Sequence, residues 1–200
     1  MFIRMDERNW NIMKPTKIIA SILFVFGCMT MNGQQYDQQT VTFGIASHSL
    51  VGVNTPTLAF SFVAPTSAGN GLVAQTASAT TNLYYSFMPS TPVNGASNGA
   101  KIKVNFINIP SGISVDLTVD DQNISSLPSA TYGDLGNVVS GFQTGQTIGT
   151  GAVDIINGIG ASYTGTNYYI LTYTATIDDY TDLSSSPNGG TPTIMYTITQ

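Results

Sequence analysis

Beyond residue 33 the chain has no cysteine, no tryptophan, no arginine and no glutamate; it has one histidine, His48, and two lysines, Lys101 and Lys103. Each absence removes a class of chemistry. Without thiols there is no disulfide and no thiolate metal site. Zinc and iron centres are built mainly from cysteine and histidine, and one imidazole does not make such a set. A glycosidase needs two carboxylates held in different environments. Here only aspartates are available, and nothing in the sequence supplies a hydrophobic pocket that would raise the pKa of one. Nine aspartates stand against the two lysines, a formal charge near −7 over this stretch. Such a surface repels phosphate backbones, so no nucleic-acid partner is expected. The glycines at Gly158 and Gly160 are not followed by a third at position 163, which is Tyr163, so the dinucleotide fingerprint fails as well.

The single cysteine, Cys28, lies in an N-terminal stretch of a different character. Lys14 and Lys17 precede an apolar run, Ile18 to Phe26, followed by Gly27-Cys28 and then Met31-Asn32-Gly33. A charged start, a short apolar run and small residues make a secretory leader. The run, about ten residues, is too short to span a bilayer of ~30 Å. Residues 1–12 hold Arg4, Asp6, Glu7, Arg8 and Trp10 and match neither the leader nor the chain beyond residue 33. They read as a gene-model extension ahead of a start at Met13. The expected organisation is an extension at 1–12, a signal peptide at 13–33 and a single domain at 34–200. Two endings of the leader stay open. Release after Gly33 puts a small residue at the cut but Met31 two positions earlier. Alternatively Val25-Phe26-Gly27-Cys28 is a lipobox and Cys28 is lipidated, the one route by which the protein would be held to a membrane. Either way the expected destination is the periplasm, the outer surface or the medium.

What is present after the leader is β-like in residue type and period. Alternation predicts strands at Thr40–Ala46, Thr57–Val63, Thr81–Phe87, Lys101–Ile107, Ile113–Val119, Tyr168–Ile177 and Thr193–Thr199, with a weaker one over Gly151–Ile156. Lys101–Ile107 is the clearest, with Ile102, Val104 and Phe106 on one face. Pro110-Ser111-Gly112, Asn94-Gly95, Asn98-Gly99 and Pro187-Asn188-Gly189-Gly190 supply turn chemistry between them. No stretch has a helical period with caps; at most Gln122–Leu127 or Tyr132–Val139 holds a turn of helix. Several short strands of uneven length, with no repeat unit, predict an all-β antiparallel sandwich, immunoglobulin-like or pilin-like. Residues 34–39 read as a polar N-terminal arm.

Three groups of residues are candidates for chemistry. His48, in Ala46-Ser47-His48-Ser49, is the lone imidazole base, but no G-x-S-x-G nucleophile pattern accompanies it. Asp120 and Asp121, and Asp178, Asp179 and Asp182, follow predicted strands, where a loop gathers carboxylates and carbonyls around calcium. Neither cluster has EF-hand spacing, and the alternative is a set of solvated acids that terminate strands. No other cofactor is implied. The tyrosines are the third group. Tyr84-Tyr85 and Tyr168-Tyr169 are adjacent pairs on strands, so one of each pair should face outward, where it would stack on glycans. Asn123-Ile124-Ser125 is a formal glycosylation acceptor, discounted beside a bacterial-style leader.

The stretches Ile155 to Thr166, Leu171 to Thr174 and Thr193 to Thr199 resemble exported β-sandwich proteins of Bacteroidetes-type bacteria and, more distantly, the pilin-like sandwiches of the spore-coat-U type. The cysteines usual in the latter group are missing here. The resemblance implies a structural strand–turn–strand close and carries no catalytic residue. Composition and resemblance together predict an exported, non-enzymatic surface protein with a structural or adhesive role. It would assemble with itself or other surface subunits by β-strand addition, the C-terminal strand or the N-terminal arm being the donor. The alternative is a carbohydrate-binding module with outward tyrosines and a structural calcium.

Overall fold

Strict alternation over Tyr169-Ile170-Leu171-Thr172-Tyr173-Thr174-Ala175-Thr176-Ile177 buries every odd position and leaves every even one half-exposed, the signature of a strand with one face on a core. In the computed structural model, which describes residues 42–93, 98–183 and 191–200, this strand is the centre of the larger of two antiparallel sheets. The chain divides into Met1–Gly44 and Ile45–Gln200, and every strand belongs to the second unit. The extension at 1–12, the signal peptide at 13–33 with Cys28, and the arm at 34–39 lie outside the described residues.

The described strands run β1 (His48–Val53), β2 (Thr76–Met88), β3 (Ala100–Ile107), β4 (Ile113–Asp120), β5 (Asn137–Val138), β6 (Gln146–Thr147), β7 (Val153–Ile159), β8 (Ser162–Tyr163), β9 (Tyr169–Ile177) and β10 (Thr193–Thr199), and a short helix, α1 (Ser129–Tyr132), precedes β5. The first sheet has the order β1-β2-β9-β4-β6, with β8 beside β2; the second has the order β10-β3-β7-β5. Only β1 and β2 are both neighbours in a sheet and consecutive in the chain. Every other ladder joins strands that are not consecutive in the chain. The Pro110–Gly112 turn is therefore a crossing from one sheet to the other, from β3 to β4.

The two sheets bury their facing side chains against each other, as a sandwich must. Leu83, Tyr85 and Phe87 of β2, Val115, Leu117 and Val119 of β4, and Tyr169, Leu171 and Tyr173 of β9 meet Ala100, Ile102, Val104 and Phe106 of β3 and Ile155, Ile156 and Ile159 of β7. The adjacent pair Ile155-Ile156 breaks the two-residue period. The β3–β7 register shifts between Ala100 and Ile102 and again before Lys103, so β7 is bulged there. A bulge turns two successive side chains to the same side, and both isoleucines are fully buried. Tyr85 and Tyr169 send their hydroxyls to one acceptor, the Leu135 carbonyl, the second at 3.0 Å. Burial, first of all, drives both phenols well above the ordinary tyrosine range.

Two expected strands differ from what forms. The described part of Thr40–Ala46 makes no strand, and Phe43 and Ile45 are 86% and 77% exposed. The first strand begins instead at His48. Thr57–Val63 keeps its alternation, with Leu58, Phe60 and Phe62 half-buried against the core and Ala59, Ser61 and Val63 exposed, but it joins no ladder. Period alone places side chains; it does not supply a hydrogen-bonding partner. Of the two stretches where a turn of helix was expected, Gln122–Leu127 forms hydrogen-bonded turns, and the short helix reaches the second only at Tyr132; it is capped at its end by Gly133, whose N–H donates to the Ser129 carbonyl at 2.9 Å.

Candidate functional site

Among the described residues, the strands that end the two sheet orders, β1, β6, β10 and β5, are unlike one another. β5 and β6 are two residues each, too short to template another chain. β1 has six residues and presents His48 and Gly52. β10 is the longest, Thr193-Ile194-Met195-Tyr196-Thr197-Ile198-Thr199, and holds no charge, no proline and no glycine. Its register against β3 runs unbroken from Thr193 opposite Ile107 to Thr199 opposite Lys101. Ile194, Tyr196 and Ile198 turn inward and remain half-buried; Met195 and Thr197 face out. β10 is fixed to the opposite sheet by a hydroxyl–hydroxyl bond between Tyr196 and Tyr173 of β9. Burial pushes the Tyr196 phenol up to about 12. Among the described residues β10 has one ladder neighbour, β3; β1 of the other sheet packs near β10 without pairing to it, so one row of β10 backbone donors and acceptors is in no ladder. The C-terminal strand is therefore part of its own sheet.

The aspartate clusters are not brought together. Asp120 is paired opposite Ile170, at the start of β9, whereas Asp178, Asp179 and Asp182 follow its end, so the two groups lie at opposite ends of the β4–β9 ladder. Asp120 Oδ1 accepts the Gln122 N–H at 2.9 Å. Asp179 Oδ1 accepts the Thr181 hydroxyl at 2.7 Å and the Thr181 N–H at 2.8 Å, which lowers the Asp179 pKa. These are side-chain turns that close loops. Among the described residues no group of three or more histidines, cysteines or acids is gathered for a metal.

His48 stands on the outer face of β1. Its Nε2 is 2.8 Å from the Ser86 hydroxyl on β2, and its Nδ1 is 3.4 Å from the Ala46 carbonyl. With the proton on Nδ1, Nε2 accepts from Ser86, the first contact of a nucleophile–base pair. Among the described residues no carboxylate is hydrogen-bonded to the His48 ring. A backbone carbonyl stands where a carboxylate would orient the ring, and Ser86 is laddered on both sides, to Leu50 and to Tyr163, so its backbone lends no free donor to an oxyanion. The sequence signals His48 but not its partner, because His48 and Ser86 meet only through the β1–β2 register.

Both described lysines spend their charge locally. Lys101 and Lys103 reach Asp154 at 2.9 and 3.5 Å across the outer face of the second sheet. The Lys101 hydrogen bond, first, holds the Asp154 carboxyl below its usual range. The adjacent tyrosines divide as their strand period requires: Tyr85 and Tyr169 are buried, while Tyr84 and Tyr168 lie half-exposed on the outer face of the first sheet. Among the described residues no helix is long and apolar enough to cross a membrane. No protein-family model matches the chain, and no curated protein and no solved structure matches it.

Proposed function

We propose that this protein is an exported, non-enzymatic surface sandwich with a structural or adhesive role, and that it assembles by accepting a strand along β10. The observation that carries the reading is the edge itself. Exposed edges are usually shortened, bulged, charged or interrupted by proline, because an unmodified edge templates further pairing. β5 and β6 are shortened; β10 has none of these devices over seven residues. The inward side chains Ile194, Tyr196 and Ile198 are half-buried, so a strand added where β1 packs without pairing would complete their burial and pair the backbone row that is in no ladder. The resemblance to exported and pilin-like sandwiches points the same way, as does the leader-like start.

The test is assembly of the purified protein, followed by sedimentation and electron microscopy over a concentration series. A double variant, Met195→Lys with Thr197→Lys, adds charge to exposed edge positions and leaves the inward face alone. Assembly of the parent and its loss in the variant supports the reading. A parent that stays monomeric at the highest concentrations, with its outward β10 amides exchanging freely, sinks it.

A further inference from the structure

The outer face of the first sheet carries a feature that neither stability nor the β10 edge uses. On β1 and β2, Gly52 lies opposite Tyr84 and Leu50 opposite Ser86; on the other side of β2, Tyr163 of β8 lies opposite Ser86. Alternation puts these side chains on one outward surface. Tyr84 packs against Tyr168, ring centroids 5.7 Å apart and tilted by 58°, and Tyr163 packs against Tyr132, 5.5 Å apart and tilted by 46°. One ring of each pair, Tyr84 and Tyr163, borders an open, shallow depression of about 540 Å³. We propose that this depression, around Gly52, Tyr84 and Tyr163, is a binding site for a neutral oligosaccharide.

Gly52 decides between a structural and a binding role for the rings. An aromatic across from a strand glycine usually lies over it and protects the thin backbone. Here a Cβ built on Gly52 would meet no atom within 4 Å. The Tyr84 ring is therefore not folded over its cross-strand glycine; its neighbour is Tyr168, which immediately precedes β9, on the other side of β2. The backbone at Gly52 is not left-handed, so the local conformation does not demand glycine. What glycine provides is an open floor beside an uncovered aromatic ring. Tyr163 is 45% exposed at the opposite rim, and Gly165 keeps the space between Tyr132 and Tyr163 free of a side chain.

The lining selects the ligand. None of the lining residues carries a formal charge, so a charged ligand would lose hydration with no counter-charge to offset it. Leu50 is the one exposed large aliphatic residue there, too little for an apolar peptide anchor. The remainder is phenol rings, hydroxyls and backbone. A pyranose has the same split, an apolar C–H face and a rim of hydroxyls, and tyrosine matches it with a flat ring and a polar tip. The Ser86 hydroxyl and His48 ring, 2.8 Å apart, place a donor–acceptor pair at the margin. The volume falls within the range usual for small-ligand sites, roughly 300–1,000 Å³. The site is on the face of one sheet and β10 is an edge of the other, so this inference stands or falls apart from assembly.

The experiment titrates the purified protein with a panel of short neutral gluco-, manno-, galacto-, xylo- and N-acetylglucosamine oligosaccharides and with acidic oligosaccharides, read by calorimetry. At least one neutral member should bind, with Kd of about 10 μM to 1 mM. Gly52→Leu, which fills the floor, and Tyr163→Ala, which removes a rim, should each weaken it about tenfold or more. Tyr180→Ala, an exposed tyrosine beyond the far end of β9, should leave it unchanged. Gly52→Leu meets open space, so an unaltered unfolding midpoint shows that its fold is intact. Absence of binding across the neutral members, binding confined to acidic members, or affinity that survives both site variants overturns the proposal. So does a dimer that Gly52→Leu dissociates, which would make the face a contact between copies.

Discussion

Tyr173 and Tyr196 join hydroxyl to hydroxyl across the gap between the two sheets, tying edge strand β10 to the central strand β9. Tyr173 is completely buried and Tyr196 half-buried. Removing the Tyr196 hydroxyl leaves a buried phenol with no partner and no route to water. Tyr196→Phe should therefore cost about 1–2 kcal/mol, and Tyr173→Phe somewhat less, since Tyr196 can turn toward solvent. The double variant should cost clearly less than the two together, because it leaves no orphaned hydroxyl. Chemical denaturation of the four proteins measures the cycle; strict additivity would show that the bond contributes nothing.

The same buried phenols set the alkaline limit. Tyr85, Tyr169, Tyr173 and Tyr196 are all raised, chiefly by burial, with Tyr196 at about 12 and the others higher. A raised pKa favours the folded state fully while the unfolded phenol is also protonated, below about pH 10. As pH climbs past that point the unfolded chain ionises first, and stability falls until the folded pKa is reached. The protein should hold its far-ultraviolet dichroism to about pH 10 and then unfold steeply. Absorbance at the phenolate band should rise with the same midpoint for these four residues. Their ionisation at about pH 10 with dichroism intact would overturn this account.

Of the aspartates that resemble a calcium site, Asp120 and Asp179 are bound up in local turns. A chelator should therefore leave the unfolding midpoint unchanged, and added calcium should raise it by no more than a degree or two at concentrations near 1 mM, since stabilisation follows occupancy of a folded-state site. A saturable rise of ~5 °C or more would require the loops after β4 or β9 to rearrange around the ion.

Residue type and period fixed more of the fold than of the site. Ile102, Val104 and Phe106, and Tyr169 through Ile177, are legible because one face of each strand meets a core and the two-residue period records it. β5, β6 and β8 are two residues long and carry no period at all. β1 is obscured by Gly52, which interrupts the alternation of Leu50, Val51 and Val53. Thr40–Ala46 and Thr57–Val63 show the opposite failure, since their alternation is present without the ladder it suggests. The candidate sites depend on which strands become neighbours. Nothing in Thr193–Thr199 says that it will be an edge, and nothing in His48 or Gly52 names Ser86 or Tyr84 as a partner. Those relations arise from ladders between segments distant in the chain, which local pattern does not encode.

Gly133 offers the sharpest test of how the interior is anchored. It ends α1 with φ +81°, and a Cβ there would fall 1.9 Å from the Ala161 carbonyl oxygen. Neither backbone can yield cheaply: Gly133 is bridged to Ser162, and the Gly160 N–H donates to the Asp134 carbonyl at 2.8 Å. Gly133→Ala thus combines an unfavourable left-handed backbone with a backbone clash, and should cost about 3 kcal/mol or more. Gly151→Ala, where a Cβ meets nothing and φ is not left-handed, should instead be neutral or stabilise by about 0.4–1 kcal/mol. The consequence extends beyond stability, because Leu135, two residues on, supplies the carbonyl that receives both Tyr85 and Tyr169. Displacing that segment would free two buried hydroxyls and loosen the packing that keeps them protonated. If Gly133→Ala still folds at low temperature, its phenolate transition should begin at lower pH than that of the parent. A variant with parental stability and a parental titration curve would show that the α1–β5 segment is not held against the β7–β8 turn.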